Sequence, residues 1–387
     1  MNPGPSPPEQ AAGPSAGPGR LPLPGDLEPI PGQLALPGMP SAAGADGSAG
    51  SSGASGIQPT LPGLEVPAAD ARAGDDQEAD DDPELGAVAV ELRGLDGDGS
   101  LMAAAIRGAL DMLLDGQHTG RYRWDQLHKT EKTHAGTLVE IALARMLRLA
   151  DGATLDYTIA GADVDCKFSH RLGGWMIPPE ADGKLMLLVQ ASDEDGTWSA
   201  GLLRAAAENL RPAGNRDGKR ALSERGRAAV CWLHARATLQ ENALIRLPGR
   251  DVDAIFARPS GQQRVNELFR RAQRMRVSRT VVATVAMQDD YMKRVRGGGG
   301  ARDQLRAEGI VIFGDYAGDQ VLAAALGLPR PGPGEFVSAR LVPRRAGAGE
   351  AREARDRDYA RFIRLAGADW LLACAADPAA PAPALPR

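Results

Sequence analysis

Cysteine is scarce in this chain, with only Cys166, Cys231 and Cys374 among 387 residues. Three scattered thiols cannot build a disulfide framework or a zinc site. The N-terminal stretch lacks the basic and apolar regions of a secretion signal, so a reducing cytoplasm is the expected compartment. Long apolar runs are missing as well. No window approaches the roughly 18 apolar residues that a spanning helix needs, so no membrane partner is expected. Aromatic residues are absent from the first seventy positions, where Pro, Gly, Ala and Ser dominate. Such a segment buries too little apolar surface to offset its ordering entropy and is expected to be disordered.

The charge is unevenly spread. An acidic run, DDQEADDDPE, fills positions 75–84 and should stay solvated. Residues 1–99 hold 16 acids and 3 bases, a net of −13, which leaves +8 on the remainder. A basic folded part permits a polyanionic partner without identifying one. The resulting division is an N-terminal extension over 1–87, a first domain over 88–233, a connection over 234–241, a second domain over 242–343, and a weakly ordered region over 344–387.

The periodicity predicts a helix from Ser100 as N-cap to Leu114, with Leu101, Ala105, Ile106, Ala109, Leu110 and Leu113 on one face and an Asp115-Gly116 turn at its end. A second helix is expected over 136–149, with Leu138, Ile141, Ala142, Met146 and Leu149 inward. The segments TLDYTIA (154–160) and ADVDCKFS (162–169), separated by Gly161, read as a β-hairpin. Further strands are expected at 184–191 and 198–203, and a helix at 223–233. In the second half, 262–274 is strongly helical, VVATVA (281–286) is better strand than helix, and IVIFG (310–314) is a strand.

The informative string is Asp156, eight residues, then Asp165-Cys166-Lys167. Residues two apart in a strand share a face, so Asp165 and Lys167 project together. If the hairpin pairs in register, Asp156 reaches the same spot. Two converging carboxylates make a hard oxygen site suited to Mg²⁺. A neighbouring lysine can hold or deprotonate a water and stabilise charge on a phosphate. Glu140, on the preceding helix, is the natural third carboxylate. Spacing alone does not separate this reading from an exposed hairpin with solvated charges.

A wider pattern separates them. The stretches DQLHKTEKTHAGTLVEIAL (125–143), GADVDCKFS (161–169), GGWMIPPE (173–180), LQENALI (239–245), RVNELFRRAQ (264–273) and QDDYMKRVRGGGGAR (288–302) resemble the NaeI family of type IIE restriction endonucleases. The resemblance runs nearly without gaps over about residues 88–343. It implies an α/β fold: a PD-(D/E)XK core, a mixed sheet flanked by helices, followed by a DNA-binding domain with a helix-turn-helix or winged-helix-like element. It further implies that Glu140, Asp156, Asp165 and Lys167 are catalytic. Mg²⁺ would be held by Asp156, Asp165, the Cys166 carbonyl and Glu140. A homodimer cutting double-stranded DNA bluntly at GCCGGC, activated by a second DNA site and paired with a cognate methyltransferase, is expected on the same ground. The other readings are a repair or junction nuclease of the same superfamily, and a non-catalytic DNA-binding protein.

Residues 261–306 carry 11 Lys/Arg and 4 Asp/Glu. The candidate DNA contacts there are Arg264, Arg270, Arg271, Arg274, Arg276 and Arg279, then Lys293, Arg294, Arg296 and Arg302 around glycines 297–300. Glycines let a backbone approach phosphates, and the cations add affinity. Among weaker features, Leu113-Leu114-Asp115-Gly116 lies where the family has been compared with the ligase K-x-D-G motif. Leu113 stands in the place of the lysine, so no covalent lysyl intermediate is expected. Asp96-Gly97-Asp98-Gly99 is expected to be a polar turn, and Trp175 a packed loop anchor.

Overall fold

Asp82 and Pro83 start the first helix for local reasons. The Asp82 carboxylate accepts from the Leu85 amide, and proline occupies a first-turn position whose N–H would have no partner. The computed structural model describes residues 82–212, 217–343 and 362–373, all within one compact unit, Ile57–Arg387. Of the N-terminal extension expected over 1–87, residues 1–81 lie outside the described residues, as does Cys374, whereas residues 83–87, expected to be disordered, open the first helix.

The helices are α1 (Pro83–Leu95), α2 (Ser100–Leu114), α3 (Gly116–Thr119), α4 (Lys129–Leu147), α5 (Glu224–Ala228), α6 (Ala243–Arg246), α7 (Gly249–Phe256), α8 (Gly261–Arg271), α9 (Arg279–Ala286), α10 (Ala301–Gln304) and α11 (Ala317–Ala325). Strands β1 (Ala150–Asp151), β2 (Tyr157–Ile159), β3 (Ala162–Ser169), β4 (Leu185–Ser192), β5 (Thr197–Arg204) and β6 (Cys231–Thr238) form one sheet in sequence order. Among the described strands of this sheet, only the β3–β4 pairing is parallel. A second sheet runs β10 (Phe362–Leu365), β11 (Ala368–Leu372), β9 (Glu335–Pro343), β7 (Arg276–Ser278), with β8 (Ile310–Phe313) also paired to β9. The β10–β11 hairpin lies in the region expected to be weakly ordered. This is a mixed α/β structure whose sheets are flanked by helices.

Strand β4 is buried along its whole length because both faces of its sheet are covered. Leu185, Leu187, Val189 and Ala191 pack into a core with α1, α2 and α4, while Met186 and Leu188 meet Trp175, Ile177 and Leu203 on the opposite side. Trp175 is an anchor: it is buried and its indole donates to the Val189 carbonyl at 2.8 Å.

Several expectations need correction. Helix α2 is capped from upstream rather than by Ser100: Gly99 is the cap, and the Asp96 carboxylate accepts from the Leu101 and Met102 amides. The Asp96–Gly99 turn therefore serves the helix end. Helix α4 starts at Lys129, where Glu131 bonds back to the His128 amide, and it buries Ala135, Val139, Leu143 and Leu147. That stripe is offset from the expected one, leaving Ile141 exposed. Residues 231–238, read as helix end and connection, form edge strand β6 instead. Cys-Trp-Leu-His-Ala-Arg-Ala is poor in β-branched residues, so only tertiary pairing with β5 makes it a strand. The reverse error occurs at α9, where VVATVA is helical. Ser278 caps it by accepting from the Val281 amide, and residues 281–286 are buried all round, which masks the helical period.

The two sheets' bodies meet at α3 and α9. A Cβ on Gly116 would lie 2.2 Å from the Thr284 hydroxyl and 2.7 Å from the Arg121 carbonyl, so the close approach requires glycine. That packing is the role of the Asp115-Gly116 pair. Beside it, Arg107 is buried with two carboxylates. Its guanidinium donates to Asp193 after β4 and pairs with Asp111 at 2.7 Å. Asp111 and Thr280, at the start of α9, line the same small cavity beside it.

Candidate active site

The hairpin register brings the site together. Tyr157 faces Val164, Thr158 faces Asp163 and Ile159 faces Ala162. Continuing the ladder by one residue sets Asp156 opposite Asp165. Asp156 lies just before β2, and its Oδ2 accepts from the Cys166 amide at 2.7 Å. Asp165 and Lys167 share a face of β3, as alternation requires. Lys167 Nζ lies 2.6 Å from Asp165 Oδ2 and 3.9 Å from Asp156 Oδ2, and it donates to the Cys166 carbonyl at 2.9 Å. Between them, Cys166 turns its side chain into the core, where burial pushes the thiol up to about 12. It therefore stays a thiol and offers the site only its backbone amide and carbonyl.

Glu140 comes from the flank of α4. The helix is tied to β2 there, because the Tyr157 hydroxyl donates to the Glu140 carbonyl at 2.8 Å. Burial, then the nearby Asp156 carboxylate, raises the Glu140 pKa above its ordinary value. Asp165 is also raised, with burial outweighing its contact with Lys167. For Lys167, burial acts to lower the pKa, but the ion pairs with Asp165 and Asp156 prevail and hold it above the usual lysine value. The niche thus gathers three carboxylates around one ammonium, an excess of negative charge in a half-buried place.

The donor set fits a hard divalent cation in part. Asp165 Oδ2 is buried and makes no hydrogen bond of good geometry, although the Lys167 ammonium touches it. Among the described residues no three His, Cys, Asp or Glu side chains are grouped to hold a metal by themselves. A cation here would take Asp156, Asp165 and the Cys166 carbonyl, the oxygens that Lys167 now contacts. Glu140 stands near enough to feel both aspartates without joining such a group.

The basic residues of the second half fare differently. Arg264 donates to the Val285 and Ala286 carbonyls, capping the end of α9. Arg270 and Arg271 converge on buried Glu267, and further pair with Glu308 and Asp251. Arg274 donates to the Ala373 carbonyl, Arg276 to the Arg330 carbonyl, and Arg294 pairs with Asp290. Arg302 pairs with Asp319 and lies over the Tyr316 ring. The Arg279 side chain packs along Gly334. Lys293 and Arg296 are exposed and have no ion pair among the described residues. The glycine loop is not an open phosphate cradle, since the amides of Gly298 and Gly299 already donate to Asp303. Most of the basic stripe therefore braces the fold, a role that charge counting could not distinguish from DNA contact.

Sequence reasoning passed over Asp163 and Arg107. The first carries a signal, because Asp163, Asp165 and Lys167 alternate along one face of β3. The second carries none, since its partners are remote in sequence.

The family model described as "Restriction endonuclease NaeI" matches residues 86–381. Among curated proteins, the type II restriction enzyme NaeI of Lentzea aerocolonigenes is 48% identical over 318 residues, covering 80% of this chain and 97% of that protein.

Proposed function

The chain belongs to the NaeI restriction endonuclease family, and from that premise we propose that it cuts double-stranded DNA at a palindromic site with Glu140, Asp156, Asp165 and Lys167. It is a type II restriction enzyme, a site-specific deoxyribonuclease, and such enzymes generally use divalent metal ions. The observation that carries the residue assignment is the convergence of Lys167 on Asp165 and Asp156 at 2.6 and 3.9 Å, with the Cys166 carbonyl alongside.

In this reading, Asp156, Asp165 and the Cys166 carbonyl hold Mg²⁺, and Glu140 supports the charge of the site. The ion would polarise the scissile phosphate and lower the pKa of a bound water. Lys167 orients the attacking water. Its ion pairs with Asp165 and Asp156 favour the ammonium, against the opposing influence of burial. When those carboxylates are otherwise engaged, burial favours the neutral amine, which is then free to take a proton from the attacking water. Water attacks phosphorus, the bond to the 3′ oxygen breaks, and 5′-phosphate and 3′-hydroxyl ends result.

A homodimer fits a palindromic site, because a two-fold axis presents one surface to both strands. The proposed site is GCCGGC, cut bluntly, with activation by a second copy and a cognate methyltransferase protecting host DNA. The PD-(D/E)XK core would comprise the six-stranded sheet and its helices, and the second DNA site would lie on the residues beyond 242. Digesting one-site and two-site plasmids with Mg²⁺ and sequencing the ends tests all of this. Discrete blunt cuts at GCCGGC, faster with two sites, are expected. Cuts confined to branched DNA, or none at all, would remove the proposal.

A further inference from the structure

Just upstream of Asp156 the chain makes a tight loop, Gly152-Ala153-Thr154-Leu155, whose amides are collected by one carboxylate. Asp163 Oδ1 accepts from the Ala153 amide at 3.0 Å and the Leu155 amide at 3.4 Å. Its Oδ2 accepts from the Thr154 amide at 3.1 Å and from the Thr154 hydroxyl. The loop closes over this carboxylate only because position 152 is glycine. A Cβ there would lie 2.3 Å from the Leu155 carbonyl and 2.6 Å from Asp163 Oδ1. The Gly152 amide then donates to the Asp156 carbonyl at 3.3 Å.

Asp156 is therefore fixed from three sides. Leu155, immediately before it, is bonded to Asp163, its own carbonyl is bonded to Gly152, and its carboxylate is bonded to the Cys166 amide at 2.7 Å. The short strand β2 begins only at Tyr157, so sheet pairing does not itself hold Asp156. Asp163 lies on the same face of β3 as Asp165 and Lys167, which would make it a candidate ligand by position alone. Its four donors argue otherwise, because both oxygens are already committed to the loop.

We infer that Asp163 is a positioning residue, which folds the 152–155 loop so that the Asp156 carboxylate points at Asp165 and Lys167. The inference rests on the active-site reading given above. A carboxylate is required because both of its oxygens must accept. In Asp163→Asn one arm becomes a carboxamide NH2 that faces either the Ala153 and Leu155 amides or the Thr154 amide, donor against donor. The loop should loosen and Asp156 should lose its direction, while the buried sheet is unaffected.

The test compares Asp163→Asn with the wild type by three measurements: Mn²⁺ binding to the DNA-free protein by calorimetry, cleavage rate against Mg²⁺ concentration, and thermal midpoint. The Mn²⁺ dissociation constant and the Mg²⁺ concentration for half-maximal rate should both rise about 10–100-fold, the usual scale for outer-sphere partners. DNA affinity should be unchanged, and excess Mg²⁺ should restore part of the rate. A lowered thermal midpoint with an unaltered metal requirement would make Asp163 merely structural and overturn the inference. If Asp163→Asn does not fold, Gly152→Ala decides the matter. It displaces the same loop with Asp163 intact and should raise the metal requirement likewise; an unchanged requirement there overturns the inference. Asp156→Ala serves as the control. If it binds Mn²⁺ and cuts like wild type, the active-site reading itself fails, whatever Asp163→Asn does.

Discussion

Lys167→Ala is expected to slow DNA cleavage by about a thousandfold or more while leaving DNA binding within a few-fold of wild type. The estimate follows from what the ammonium touches. It is the cation in contact with Asp165 and Asp156, and it lies 2.9 Å from the Cys166 carbonyl. Removing a group that both orients the attacking water and exchanges a proton costs on the order of 10²–10⁴ in rate. The side chain is only 28% exposed and is already paired with Asp165, so its contribution to phosphate affinity is small. Truncation also leaves Asp165 Oδ2 buried without its countercharge, which should strengthen the site's hold on a divalent cation. Single-turnover cleavage of a plasmid, together with gel-shift titration in Ca²⁺, measures the two quantities separately. Retention of cleavage within tenfold, or loss of binding along with cleavage, would show that the lysine does something else.

The second large effect concerns stability. Arg107→Ala should destabilise the protein by about 3–5 kcal/mol, because it strands Asp111 and Asp193 without the cation that compensates them. Burial acts against the charged guanidinium, but Asp111 and Asp193 outweigh it and hold its pKa above the ordinary value. Burial likewise raises Asp111 despite that contact. Both neighbours therefore depend on Arg107. In a chain of this size the loss corresponds to a fall in thermal midpoint of roughly 10 °C. Arg107→Lys should recover only part of it, since an ammonium cannot reproduce the two-pronged contact with Asp193. Replacing Arg107, Asp111 and Asp193 together by apolar residues should recover more. A midpoint shift under about 2 °C for Arg107→Ala would mean that water already screens the three charges. Because Arg107, Asp111 and Thr280 line one small cavity, the same variant should loosen the packing of α2 against the start of α9.

The hairpin that carries Asp156, Asp165 and Lys167 was readable from sequence because every signal there is local. Gly161 marks the turn, alternation assigns Asp165 and Lys167 to one face, and the register then places Asp156. Glu140 could be nominated from its place on the preceding helix and by family likeness, but its approach depends on how α4 lies on β2 and β3. Elements whose state is decided by tertiary burial were misread. The valines of α9 mimic a strand because all sides of that helix are covered, whereas β6 mimics a helix because alanine, leucine and arginine favour one. The arginines of 264–302 show a further limit. Composition records their charge but not their partners: Glu267, Glu308, Asp251 and Asp319 already pair with Arg270, Arg271 and Arg302. Asp163 was overlooked for a related reason, as its importance appears only once a loop has closed around it.

The most direct test of the central claim is the rate of Mg²⁺-dependent plasmid cleavage by Asp165→Asn. The change is nearly isosteric and removes one negative oxygen from the buried position against Lys167, so the fold should persist. If Asp156, Asp165 and Lys167 form the hydrolytic site, this variant should bind DNA normally and leave plasmid uncut over times in which wild type cuts it to completion. Cleavage at or near the wild-type rate would contradict the account.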